Sequence, residues 1–163
     1  MNSSTNSQGF SLVELVVVMV ILAVLAATFL PRTTDRVINV NAQADMIAGE
    51  VRYVQSLSMT QGQRYYINFP TATTYGFFAV SGATPIPHPA TGSTTPVALA
   101  AGITLASITP AGVSAIAFDG KGIPYRDAAA TTALSGVNAV ITLSGGNATA
   151  AVTVFPETGR VTP

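Results

Sequence analysis

From Phe10 to Leu30 the chain is apolar at almost every position, FSLVELVVVMVILAVLAATFL, with a single carboxylate, Glu14, four residues in. These 21 residues span about 31 Å at helical rise, close to the hydrocarbon thickness of a bilayer, and predict a transmembrane helix. Past Pro31 the period changes. Val37, Val40, Ala44, Ile47, Val51 and Val54 step by three and four, which is one face of an amphipathic helix. Asp35, Asn39, Asp45, Glu50 and Arg52 fall largely off that stripe, and Gly62 marks the C-cap region. The pattern predicts a helix from Phe10 to about Thr60, roughly 75 Å long, with a kink at Pro31, which lacks an N–H and crowds the preceding turn.

Beyond Gly62 the periodicity is that of strands. Runs suited to strands are RYYINF at 64–69, YGFFAV at 75–80, ITLASI at 103–108, VSAIAF at 113–118, NAVITLS at 138–144 and TAAVTVF at 149–155. GGNA between the last two predicts a hairpin loop. Ser81 to Gly102, dense in Pro, Gly and Thr, predicts a long exposed loop. No strand alternates with a helix of its own, so the sheet should be antiparallel and the fold class α+β.

Composition narrows function. The chain has 163 residues, 9% of them charged, with zero formal net charge. No basic surplus favours nucleic acid. There is no cysteine, which excludes disulfides and thiolate chemistry. One histidine, His88, stands in PIPHPATG, where a solvated loop residue is expected. A single histidine offers no Ser/His/Asp set. DGKG at 119–122 lacks the ligands of a calcium loop and predicts a tight turn. The expectation is a protein without catalysis, metal or cofactor.

Glu14 is then the feature to explain. An ionisable group in a membrane span costs about 2.5–3.5 kcal/mol near the centre and less near an end. A secretory signal does not fit, because MNSSTNSQ holds no Lys or Arg and the apolar run is too long. A plain anchor fits the length but leaves the acid idle. If the chain were cut between Gly9 and Phe10, the freed amine would be cationic and Glu14 would lie in the first turn, facing unsatisfied N–H groups. It could equally reach the amine of a neighbouring chain, which would make a poorly solvated acid a force for lateral assembly.

Gly9-Phe10-Ser11-Leu12-Val13-Glu14 before a long apolar helix resembles the class III prepilin signal of type IV pilins and type II secretion pseudopilins. The resemblance implies that a prepilin peptidase cleaves after Gly9 and methylates the amine of Phe10. It implies that Glu14 pairs with a neighbouring subunit's N-terminus in a filament, and that the helix is distorted near Pro31. It also implies a pilin fold: leader at 1–9, assembly helix at 10–30, amphipathic continuation at 31–62 and β-rich domain at 63–163. Partners would be other pilin or pseudopilin subunits, the peptidase, an inner-membrane assembly platform and lipid. RYVQSLSMTQGQRYYINF, IAFDGKGIPY and VTVFPETGRVTP further resemble the GspH/FimT group of minor pilins and pseudopilins.

The leader departs from that family in lacking Lys and Arg, while Arg32 and Arg36 follow the span. The positive-inside rule alone would put the C-terminal domain in the cytoplasm. The family resemblance puts it in the periplasm, on a single-pass protein of the bacterial inner membrane, and this is the reading adopted. Two other roles stay open. One is a binding module at the filament tip for DNA or a secreted substrate, with Lys121, Arg126 and Arg160 as candidate phosphate contacts. The other is an unrelated bitopic membrane protein.

Overall fold

The computed structural model describes residues 11–29, 34–80, 83–113 and 115–163. The chain divides into two units, Met1–Thr34 and Asp35–Pro163.

The first unit contributes helix α1, Leu12–Phe29. Its start is capped by Ser11, whose Oγ accepts the Glu14 backbone N–H at 3.2 Å, while the Ser11 carbonyl accepts the Leu15 N–H. Residues 12–25 are exposed on every side, so α1 is a helix apolar all round, the pattern of one built to be buried by something other than its own domain. Among the described residues no helix is long and apolar enough to cross a membrane. The 18 described residues of α1 rise about 27 Å. Phe10 and Leu30 extend the run in sequence but lie outside the described residues, as does Pro31 with its expected kink.

The second unit begins with α2, Thr34–Gln61, closed by Gly62 at φ +63°, a left-handed C′ position that glycine adopts without a Cβ clash. Val40, Ala44, Ile47, Val51 and Val54 are fully buried, as the stripe requires. Val37 is not: it is 48% exposed, lying before the helix meets the sheets. Glu50 departs in the other direction and is buried among the apolar residues. Gly49 faces solvent with nothing within 4 Å of where a Cβ would stand. Gly49→Ala is therefore expected to stabilise the domain by about 0.5–1 kcal/mol, by relieving the entropic cost of a mid-helix glycine. A higher urea midpoint at unchanged slope would show it.

Among the described residues ten strands follow, all antiparallel, in two sheets rather than one. The larger is built on the hairpin β1 (Tyr65–Thr71) and β2 (Thr74–Ala79). Its order is β3-β2-β1-β6-β7, where β3 is Thr84–Pro85, β6 Ala115–Phe118 and β7 Pro124–Tyr125; β4, Val97–Ala98, also pairs with β2. The smaller sheet runs β10-β9-β8-β5, with β5 Thr104–Thr109, β8 Ala139–Gly145, β9 Ala148–Val154 and β10 Val161–Thr162. β8 and β9 form the expected hairpin, Gly145 pairing with Ala148 across a two-residue loop.

One face of each sheet closes with α2 on a shared core that includes Ile47, Val54, Ile67, Tyr75, Phe118, Ile141 and Val152. On the larger sheet a second cluster, Tyr66, Ala115, Ala117 and Ala130, covers the opposite face. The smaller sheet leaves its opposite face to solvent, with Thr104, Thr142, Ser144, Thr149, Thr153 and Thr162 alternating with buried or core-packed neighbours. None of its four strands contains a charged residue.

The stretch from 83 to 100 is not simply an exposed loop. It lays β3 and β4 along the free edge of β2 and buries His88 and Leu99. Backbone bonds continue the attachment: Ile86 N–H donates to Phe77 O at 3.0 Å and Leu99 N–H to Thr73 O at 2.8 Å. From α2, Gln43 Oε1 accepts the Ala100 N–H at 3.0 Å.

Candidate functional site

Glu14 is the third residue of α1, where its backbone N–H is already satisfied by Ser11 and its side chain is free to engage something else. It is exposed, and the aliphatic side chains Leu12, Val13, Leu15 and Val17 around it are 49–79% exposed. The arrangement is an acid at a helix N-terminus, ringed by hydrocarbon that no other described residue covers. Gly9 and Phe10 lie outside the described residues. Ser11 as the capping residue was readable in sequence, as a serine three positions before Glu14 at the head of an apolar run.

The three candidate phosphate contacts fall in two places. Lys121 sits in the turn after β6, whose shape is set by Asp119: its Oδ1 accepts the N–H groups of Lys121 and Ile123, both at 2.9 Å. Arg160 sits in the turn before β10, with its guanidinium carbon 4.2 Å from the Phe155 ring centroid. Gln55 of α2 joins these two turns, its Nε2 donating to Gly122 O at 3.1 Å and to Thr158 O at 3.0 Å. Both cations are exposed. Arg126 belongs to a separate segment after β7, where its N–H donates to Thr132 O. Asp127 organises that segment by accepting from Thr131 and Thr132. Burial works against its ionisation, but those hydrogen bonds outweigh it and hold the carboxyl below the usual range.

Sequence reasoning missed a buried polar cluster. His88 is 3% exposed, not solvated, and its Nε2 lies 2.8 Å from Glu50 Oε1. The Tyr75 hydroxyl donates to the same oxygen at 3.0 Å. Burial raises the Glu50 carboxyl above its ordinary value, and the His88 and Tyr75 bonds offset only part of that. Burial and the nearby carboxylate push the Tyr75 phenol up as well. The signal available in sequence was Glu50 itself, an acid one residue before Val51 on the buried stripe. Among the described residues, no group of three His, Asp or Glu side chains is placed to hold a metal ion.

An apolar helix led by an acid, in a chain whose second helix lies over antiparallel sheets, defines a pilin-like α+β fold. Residues 4–30 match the prokaryotic N-terminal methylation motif, a span that holds Gly9, Phe10 and Glu14. In structure the chain is similar to the type IV minor pilin FimU of Pseudomonas aeruginosa, with a TM-score of 0.51 and 12% identity over 76% of this chain and 86% of that one. A second crystal form of FimU gives a TM-score of 0.49 and 11% identity over 75% and 90%. Among curated proteins none matches the chain.

Proposed function

We propose that this chain is a minor structural subunit of a type IV pilus or type II secretion pseudopilus. It waits in the bacterial inner membrane as a single-pass protein with residues 63–163 in the periplasm. A prepilin peptidase removes residues 1–9 and methylates Phe10, and an assembly platform packs the chain into a filament with other pilin subunits. The role is structural and not enzymatic. The observation that carries this reading is Glu14, placed in the first turn of an all-round apolar helix inside a methylation motif.

In a filament, α1 would exchange lipid for the apolar helices of its neighbours. Glu14 would exchange a poorly solvated position for the cationic amine of an adjacent Phe10. A charge-assisted pair of this kind is strong because its surroundings are apolar. Mass spectrometry of the protein purified from its membrane is expected to find a chain beginning at N-methylated Phe10. A functional chain retaining Met1 would overturn the proposal.

A tip module for DNA is less well supported. Non-specific affinity grows with each phosphate neutralised. Of the three candidates Lys121 and Arg160 stand on turns that Gln55 joins and Arg126 on another segment, on a chain of zero formal net charge.

A further inference from the structure

The Glu50–Tyr75–His88 cluster plays no part in processing or assembly as described above, yet it buries three titratable groups where the 83–100 connector meets α2 and β2. Its hydrogen bonds allow one assignment of protons. Ala90 N–H donates to His88 Nδ1 at 3.1 Å, so that nitrogen carries a lone pair. The ring proton is then on Nε2, which donates to Glu50 Oε1. Tyr75 donates to the same oxygen, and Glu50 Oε2 is buried with no partner among the described residues.

Two facts follow. The groups facing the Glu50 carboxyl are Tyr75 from β2 and His88 from the connector, and a ring whose Nδ1 accepts from Ala90 carries no positive charge. An ionised Glu50 is therefore a buried anion held by neutral donors alone, which is costly. A Glu50 protonated on Oε2 keeps every observed bond, because Oε1 still accepts from both donors.

We propose that Glu50, Tyr75 and His88 form a proton-operated latch, closed on the 83–100 connector while Glu50 holds its proton and released when Glu50 ionises. The connector is the part that yields. Its strands β3 and β4 are two residues each and largely exposed, whereas α2 and β2 build the core. Water reaching the Glu50 carboxylate must displace His88. Placing a second proton on the ring instead must break the Ala90 bond, which lies within the turn closed by His88 N–H to Ser93 O at 2.8 Å. Either way the connector loosens. Its release would bare the edge of β2 for pairing with another strand.

The sign follows from burial. A carboxyl raised in the folded state contributes its full stability below the ordinary value of 4.5, and that contribution is lost as pH rises through the folded value. The test is hydrogen exchange on the full chain in detergent micelles between about pH 4 and 9, corrected for intrinsic exchange. Protection of the Ile86, His88 and Leu99 amides should fall as pH rises, about tenfold for each unit by which the Glu50 carboxyl is raised. Amides of the β8–β9 hairpin should keep theirs. The carboxyl carbon shift of Glu50 should titrate with the same midpoint. Glu50→Gln should abolish the dependence. Connector protection that is flat with pH, a Glu50 titration with a different midpoint, or a folded Glu50→Gln chain with the wild-type trend would each overturn the latch.

Discussion

Gly159→Ala is expected to destabilise the domain by about 2–4 kcal/mol, the sum of a left-handed backbone penalty and crowding in a packed site. Gly159 has φ +64°, and a Cβ there would stand 2.6 Å from Gly122 O and 3.0 Å from Phe118 Cε1, with Gln55 Nε2 also too close. The first of these contacts is backbone, so no rotamer change relieves it. Gln55 can move aside only by giving up the bonds through which it joins the two turns. Gly92 is the control: φ is +68° but nothing lies within 4 Å of its Cβ position. Gly92→Ala should cost about 1 kcal/mol, the backbone term alone. Urea titration followed by tyrosine fluorescence suits a chain with five Tyr and no Trp. Equal midpoints for the two variants would refute the crowding argument.

Glu14→Ala should leave membrane insertion intact and cut incorporation into filaments by about 30-fold or more. Removing one partner of a desolvated charge pair costs about 2–5 kcal/mol, and each 1.4 kcal/mol is tenfold. The helix start should survive, because Ser11 caps the backbone N–H of residue 14 and not its side chain. Glu14→Gln keeps size and hydrogen bonding but loses charge, and should behave like the alanine variant if the counter-ion is an amine. The ratio of subunit in sheared filaments to subunit in membranes measures both. Wild-type incorporation of Glu14→Ala would remove the pairing mechanism while leaving the fold as described.

Much of this architecture was legible because it rests on local pattern. The α2 stripe from Val40 to Val54 and the β8–β9 hairpin follow from helical and strand periods and from a glycine-rich turn. Glu14 stands out in sequence because an acid inside a long apolar run is unusual, and the structure puts it in the first turn of α1. What could not be read depends on contacts between distant residues. Whether the strands form one sheet or two depends on which neighbour each finds, and β5 pairs with β8 across about 35 residues of sequence. The burial of His88 depends on Glu50, 38 positions away, and on a connector whose composition resembles that of a solvated loop. Neither residue alone signals the pair.

The bare side of the four-stranded sheet has a consequence for how such chains coexist. Its strands bear hydroxyls and small apolar groups but no ions, on a protein with zero formal net charge. Coulomb forces between copies are therefore weak at that surface. Dissolved electrolyte, which acts by screening charge, finds little there to screen. Electrostatic contacts made by this side of the molecule would thus differ little between brine and fresh water.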